Sequence, residues 1–198
     1  MSKEYFKKDL EIITASLESV QEAVFEQWVA DVCDTLQAGK KVIISGVGKN
    51  YPICIKVADS MKSVGLQAYA LHTYEALHGA MGMIADGDMV IVISKSGETK
   101  ELITLAQRLQ GKEYLLYLLS FSKQSTLANL ISNQIIMELA HEGDLWNLLP
   151  SNSTAVTLIL LQTMITQVTE KLHLDKTHDF LSHHPGGNIG EKYTHRYD

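Results

Sequence analysis

The chain has 198 residues, 45% of them hydrophobic and 20% charged, and its 23 acidic and 17 basic side chains leave a net charge of −6. That length accommodates one domain with a sizeable core. The acidic balance, with no basic cluster, argues against nucleic acid as a partner.

The N-terminus, MSKEYFKKDLEII, is charged throughout and lacks the apolar region of a signal peptide. Leu10, Ile13, Leu17, Val20, Val24, Trp28, Val32 and Leu36 recur every three or four residues. They predict one long or two consecutive helices before Gly39, a helical N-terminal arm over residues 1–38. Cys33 and Cys54 lie in apolar segments without metal-ligand spacing, and predict reduced core thiols in a cytoplasmic protein.

Five short β-like runs follow: KVIISG (41–46), QAYALH (67–72), MVIVIS (89–94), EYLLYLLS (113–120) and NQIIMEL (133–139). Helical patterns occupy 51–64, 99–110 and 124–130. A last helix over 151–172 is apolar on nearly every side, which predicts burial in the core or in a partner subunit. Its most apolar part, 154–168, is interrupted by Thr and Gln and is too short to span a bilayer. Strands apolar throughout, separated by helices, predict a single α/β domain: a three-layer α/β/α sandwich around a five-stranded parallel sheet.

Ligands of such folds bind at the carboxyl ends of the strands. Three polar groups fall there: SGVGKNYP (45–52), SKSGET (94–99) and PSNST (150–154). Each sets small residues or hydroxyls beside the free amides of a helix start, which suits phosphate. Helix capping alone would select many of the same residues. Nucleotide-binding patterns fail: the first glycine of a P-loop would fall on Ile43 and its hydroxyl residue on Asn50, and the third glycine of the dinucleotide fingerprint would fall on Tyr51. In the serine loop, Gly97 lets the backbone approach an anion, while Ser94, Ser96 and Thr99 offer hydroxyls. Glu98 is expected to brace the loop.

GVGKN, the His-Gly at 78–79, ISKSGETKE, PSNST and SHHPGGNIG follow in an order and spacing that resemble the sugar isomerase (SIS) domain, and within it the arabinose 5-phosphate isomerase branch. The likeness covers residues 40–191. Lys95 stands where an Asn or another small polar residue is usual, and Tyr51 where Ser-Gly follows the Lys. The resemblance implies an aldose–ketose isomerase acting on a sugar phosphate, with arabinose 5-phosphate and ribulose 5-phosphate as the pair, and with neither cofactor nor metal. It places Lys49, Glu101, Glu142 and His184 at the family's proposed catalytic positions and His78 at its active-site His-Gly. It also completes the phosphate pocket of Gly48, Ser94, Ser96, Gly97 and Thr99 with Ser151, Ser153 and Thr154.

The chemistry of these residues suits isomerisation, which needs ring opening, a base between carbons 1 and 2, stabilisation of an enediolate and movement of a hydroxyl proton. Lys49 can neutralise phosphate or enediolate charge. Glu142 lies in AHEGDLWNLLP, where Leu145, Trp146, Leu148 and Leu149 are expected to raise its carboxyl pKa toward that of a base. Pro185-Gly186-Gly187 can aim the preceding His184, with His183 its neighbour. His72, His141, His173, His178 and His195 carry no separate signal. Other readings are a sugar-phosphate-binding regulatory module without turnover, and a 6-phospho-3-hexuloisomerase. Such domains assemble as dimers or tetramers, so a homo-oligomer is expected, with His78 or His184 reaching a neighbour's pocket.

Overall fold

The computed structural model describes residues 2–194, so His195 lies outside the described residues. Two helices open the chain, α1 (Ser2–Glu18) and α2 (Glu22–Gln37). Five strands follow: β1 (Val42–Gly46), β2 (Ala68–His72), β3 (Met89–Ile93), β4 (Leu115–Ser120) and β5 (Asn133–Ile136). They are all parallel, in the order β2-β1-β3-β4-β5. The crossovers carry α3 (Asn50–Lys62), the short α4 (Thr73–Leu77), α5 (Lys100–Leu109) and α6 (Thr126–Leu130), and α7 (Asn152–Lys171) follows the sheet. The expected α/β sandwich with a five-stranded parallel sheet is therefore present. The sequence reading did not include α4, the turns over Lys176–His183, or α8 (Gly187–Thr194).

The alternation of strand side chains divides the core in two. Val42, Ile44, Met89, Ile91, Ile93, Tyr117, Leu119 and Ile135 pack under α2, α3 and α7, while Ile43, Val90, Val92 and Leu118 pack under α4, α5 and α6. Every position of β1 and β3 is buried, which is why those runs read as continuously apolar. Within the N-terminal segment, α2 is built into the core: Trp28, Val29 and Val32 are fully buried. The Trp28 ring stacks edge-on against Phe25 at 5.7 Å. Tyr117 donates to Asp31 Oδ2 at 2.5 Å, which ties β4 to α2. On α7, Val156, Leu160, Leu161, Met164 and Val168 face the core.

Both thiols are free and buried. Burial pushes Cys54 up to about 12, so it packs as a small apolar group. Among the described residues no helix is long and apolar enough to cross a membrane.

One buried ion pair closes the end of the sheet opposite the carboxyl termini. Asp88, fully buried, accepts the amides of Lys41 at 2.9 Å and Ala85 at 2.8 Å, and its carboxylate meets Lys41 Nζ at 2.8 Å. Burial pushes its carboxyl up, but the Lys41 ammonium and these amides outweigh that and hold it below the usual aspartate range. A depressed folded-state pKa contributes stability above the unfolded value near ~3.9, and that stability is lost as pH falls through the folded value. Asp88→Ala is therefore expected to cost about 2–3 kcal/mol in denaturant unfolding at pH 7. The gap from wild type should shrink as the pH is taken below ~4. A gap unchanged with pH would show that the carboxylate charge contributes nothing.

Candidate active site

The strand order reverses between β1 and β3, and crevices at such a reversal are where ligands of open parallel sheets sit. Gly46 and Ile93 are register partners at the carboxyl ends of those two strands. The loop carrying Gly48 and Lys49 and the loop Ser94–Thr99 therefore leave the sheet side by side. Lys49 is exposed at the start of α3, Glu101 is exposed in the first turn of α5, and His78 closes α4 with its ring 4.5 Å from Tyr74.

The serine loop is built tightly. Ser94 is buried, its Oγ accepts the Gly97 amide at 3.1 Å, and it lies 3.2 Å from Thr99 Oγ1. Ser96 Oγ accepts the Glu98 amide at 3.2 Å and is otherwise turned outward. The Glu98 carboxylate accepts the Thr126 amide at 2.7 Å and its hydroxyl at 2.8 Å, the bracing role expected of it. Gly97 has φ +68°, and a side-chain carbon there would collide with the Ser125 hydroxyl. From the next strand end, the Phe121 amide and the Ser120 hydroxyl both donate to the Lys95 carbonyl, at 3.1 and 3.2 Å.

Glu142 is the buried centre of the second loop. Its Oε2 accepts the amides of Ser151 at 3.0 Å and Ser153 at 2.9 Å; its Oε1 accepts the Ser153 hydroxyl at 2.6 Å and lies 2.6 Å from Lys95 Nζ. The Ser151 hydroxyl donates to the Glu142 carbonyl, and the Thr154 hydroxyl turns back to the Ser151 carbonyl at 2.8 Å. The helix start expected to receive phosphate on Ser151, Ser153 and Thr154 is thus filled by the protein's own carboxylate. The reason is electrostatic: the first amides of α7 lack partners within the helix and carry its positive end, and a nearby carboxylate satisfies both.

The expectation of a raised Glu142 pKa is overturned. Burial pushes the carboxyl up, but the Lys95 ammonium, the Ser153 hydroxyl and the amides of Ser153 and Ser151 outweigh it and hold it below the usual glutamate range. The apolar side chains read as its cover face water instead, with Leu145 88% and Trp146 71% exposed. Asp144 holds them there by accepting the amides of Trp146, Leu148 and Leu149.

His184 is elsewhere. It follows His183, and a side chain at Gly65 would meet the His183 ring at 3.1 Å. Gly65 precedes β2, so this contact lies at the amino end of a strand whose carboxyl end borders the site, roughly 16 Å away. The His184 ring stacks on Phe180 at 4.0 Å, and its Nδ1 pairs with the Phe180 carbonyl at 2.6 Å. Within one chain His184 and Glu142 are not brought together. No three His, Cys, Asp or Glu side chains gather to hold a metal among the described residues.

Three residues near the site escaped the sequence reading as partners of its chemistry. Lys95 pairs with Glu142. His72 caps α4 through Nδ1 and meets the Tyr51 ring edge-on at 4.6 Å. Asp9 of α1 receives Asn152 Nδ2 at 3.2 Å. Only the departure at Lys95 left a trace in the sequence.

A family model for the SIS domain matches residues 35–167. The arabinose 5-phosphate isomerase KdsD of Pseudomonas aeruginosa is 33% identical over 161 residues, 81% of this chain and 49% of that protein. The chain spans about half the length of the curated relatives it matches. The solved structure of Escherichia coli CFT073 c3406 in complex with arabinose 5-phosphate superimposes with a TM-score of 0.84 at 30% identity, covering 92% of this chain and 95% of that one. The Vibrio vulnificus NanR protein complexed with ManNAc-6P shares the fold, with a TM-score of 0.72 at 15% identity over 98% of this chain and 68% of that one.

Gly97 offers a direct check of the serine loop. Gly39 has a similar φ of +71° but open space around it. Both Gly→Ala changes carry the left-handed backbone penalty of about 1 kcal/mol. Gly97→Ala should cost about 1–3 kcal/mol more, because Ser125 must move. Equal losses in chemical unfolding would mean that the loop does not depend on that contact.

Proposed function

The chain belongs to the SIS domain family, and on that basis we propose that it is an aldose–ketose isomerase of sugar phosphates, with arabinose 5-phosphate and ribulose 5-phosphate as the substrate pair. It works without a cofactor, in the cytoplasm, as a homo-oligomer. The observation that carries this reading is the buried Glu142 carboxylate, joined through Lys95 to the loop of Ser94, Ser96, Gly97 and Thr99. An acid–base group thereby stands one side chain from a phosphate-type seat. The arabinose 5-phosphate in the complex of the Escherichia coli relative supports the choice of substrate.

In this mechanism the phosphate rests on the serine loop, with Gly48 at its edge. Ser151, Ser153 and Thr154 act from the α7 start, where the first two orient Glu142. Glu142 takes the proton from carbon 2 of the open-chain aldose and returns it to carbon 1, while the hydroxyl proton passes from O2 to O1. Lys49 stabilises the enediolate, and Glu101 and His78 border the crevice. His184 reaches the site from a second copy of the chain, because its own site lies at the far end of the sheet.

A non-catalytic sensor is the second reading, favoured by one observation: every donor around Glu142 is directed at stabilising its charge. Turnover separates the two. Incubation with a panel of aldose and ketose phosphates in deuterated water should incorporate deuterium at the carbon next to the carbonyl, with arabinose 5-phosphate the best aldose. Fructose 6-phosphate turning over faster would instead favour the hexuloisomerase. Glu142→Gln should lose ~10²–10⁴-fold in turnover while still binding the sugar phosphate. Activity within a few-fold of wild type would remove Glu142 from the chemistry.

The shared site is tested by complementation. Inactive His184→Ala chains mixed with inactive Glu142→Gln chains should recover part of the activity once subunits exchange. Exchange verified by mass without recovery would place both residues in one chain's site. A monomer in sedimentation at micromolar concentration would refute the assembly.

A further inference from the structure

We propose that Lys95 is a movable counter-ion: it clamps Glu142 while the serine loop is empty and turns to the phosphate when the loop is occupied, so that substrate binding itself frees the carboxylate for proton transfer. This rests on the sugar-phosphate reading above and adds to it a device that couples binding to the readiness of the base.

The geometry supports the two positions. Lys95 is part of the loop between Ser94 and Ser96, yet its ammonium leaves that loop and lies 2.6 Å from Glu142 Oε1. The Lys95 side chain is 42% exposed, while Glu142 is fully buried. Only the cation has room to move, and its stem of four methylenes is flexible. The loop that would bring the phosphate is pinned through the Lys95 carbonyl by Ser120 and Phe121, so the side chain can swing without the backbone following. A sugar phosphate bound there carries nearly two negative charges against the one of Glu142, and so competes for the ammonium.

The other groups facing Glu142 do not replace that cation. Asp9 comes from α1, and a side-chain carbon at Gly143 would meet its Oδ1 at 2.5 Å. His141 and Asp144 flank Glu142 in its own loop, with His141 Nδ1 accepting the Gly143 amide at 2.9 Å. Among the described residues Lys95 makes the ion pair to this carboxylate. When Lys95 leaves, the Ser153 and Ser151 donors keep Glu142 in place, but the charge that most lowers its proton affinity is gone. A positioned carboxylate then becomes a stronger base.

The test follows the Glu142 carboxyl carbon by nuclear magnetic resonance in the full chain labelled at glutamate, assigned by its absence in Glu142→Gln. Titrations are run with no ligand, with inorganic phosphate, with arabinose 5-phosphate and with fructose 6-phosphate. In the free wild type, Glu142 should titrate below the ordinary glutamate range, and a bound sugar phosphate should move the titration upward. Lys95→Met should start from the higher position and move little on binding, whereas Lys95→Arg should restore the low position. Loss of the phosphate contact in Lys95→Met should weaken sugar-phosphate binding about tenfold or more. Lys95→Gln serves as the neutral variant should Lys95→Met not fold. Binding that leaves Glu142 unmoved in wild type, or moves it equally in wild type and the neutral variant, overturns the proposal and leaves the isomerase reading intact. Failure of every sugar phosphate to bind overturns both.

Discussion

A buried carboxylate has to be answered by donors or by a proton, and the arrangement around Glu142 follows from that requirement. Its oxygens are met by a helix start, a hydroxyl and one ammonium, and the ammonium belongs to a different loop. That last contact joins the start of α7 to the loop ahead of α5. Without it the two polar loops would be separate helix caps, one after β3 and the other after β5, with β4 between them. With it they form one charged unit at the mouth of the sheet, in which a change at either loop is felt by the other.

The sheet explains why the unit sits where it does. A parallel sheet sends every strand end of one kind to the same edge, and the reversal of strand order opens a crevice beyond the carboxyl ends of β1 and β3, between the loops that follow them. The same regularity sends His184 away. The C-terminal turns pack near Gly65, on the amino edge. A chain with this topology divides its polar side chains between two edges, and association of copies is the route by which one edge can meet the other.

Much of this was legible in the sequence because burial and turn chemistry are local signals. The strands showed as unbroken apolar runs since both faces of β1 and β3 are covered. The serine loop showed because hydroxyls and a glycine interrupt an apolar strand at a helix mouth, a pattern that capping and anion binding share. The fate of Glu142 was not legible, since the sign of its shift depends on Lys95 and on the amides of α7, which only the tertiary fold brings near. Leu145, Trp146, Leu148 and Leu149 misled because apolar residues beside an acid suggest a cover, and nothing local reports that Asp144 turns the segment outward. The His-His-Pro-Gly-Gly segment was legible as a bend, but its place at the far edge depends on packing against Gly65.

The contact between Asp9 and Asn152 has a consequence for synthesis. The two residues are separated by 143 positions, so α1 finds its partner only after the whole sheet has been made. Chains are made from the N-terminus at about 5–20 residues per second. Through that interval α1, with Tyr5, Phe6 and Leu10 exposed even in the folded chain, lacks the α7 surface against which it packs. Its docking onto α7 closes a loop of 143 positions, and such closures come late because their entropy must be overcome before any contact rewards it. The same step brings Asp9 beside the Glu142 loop, so the site is completed by a helix that is synthesised before any strand of the sheet.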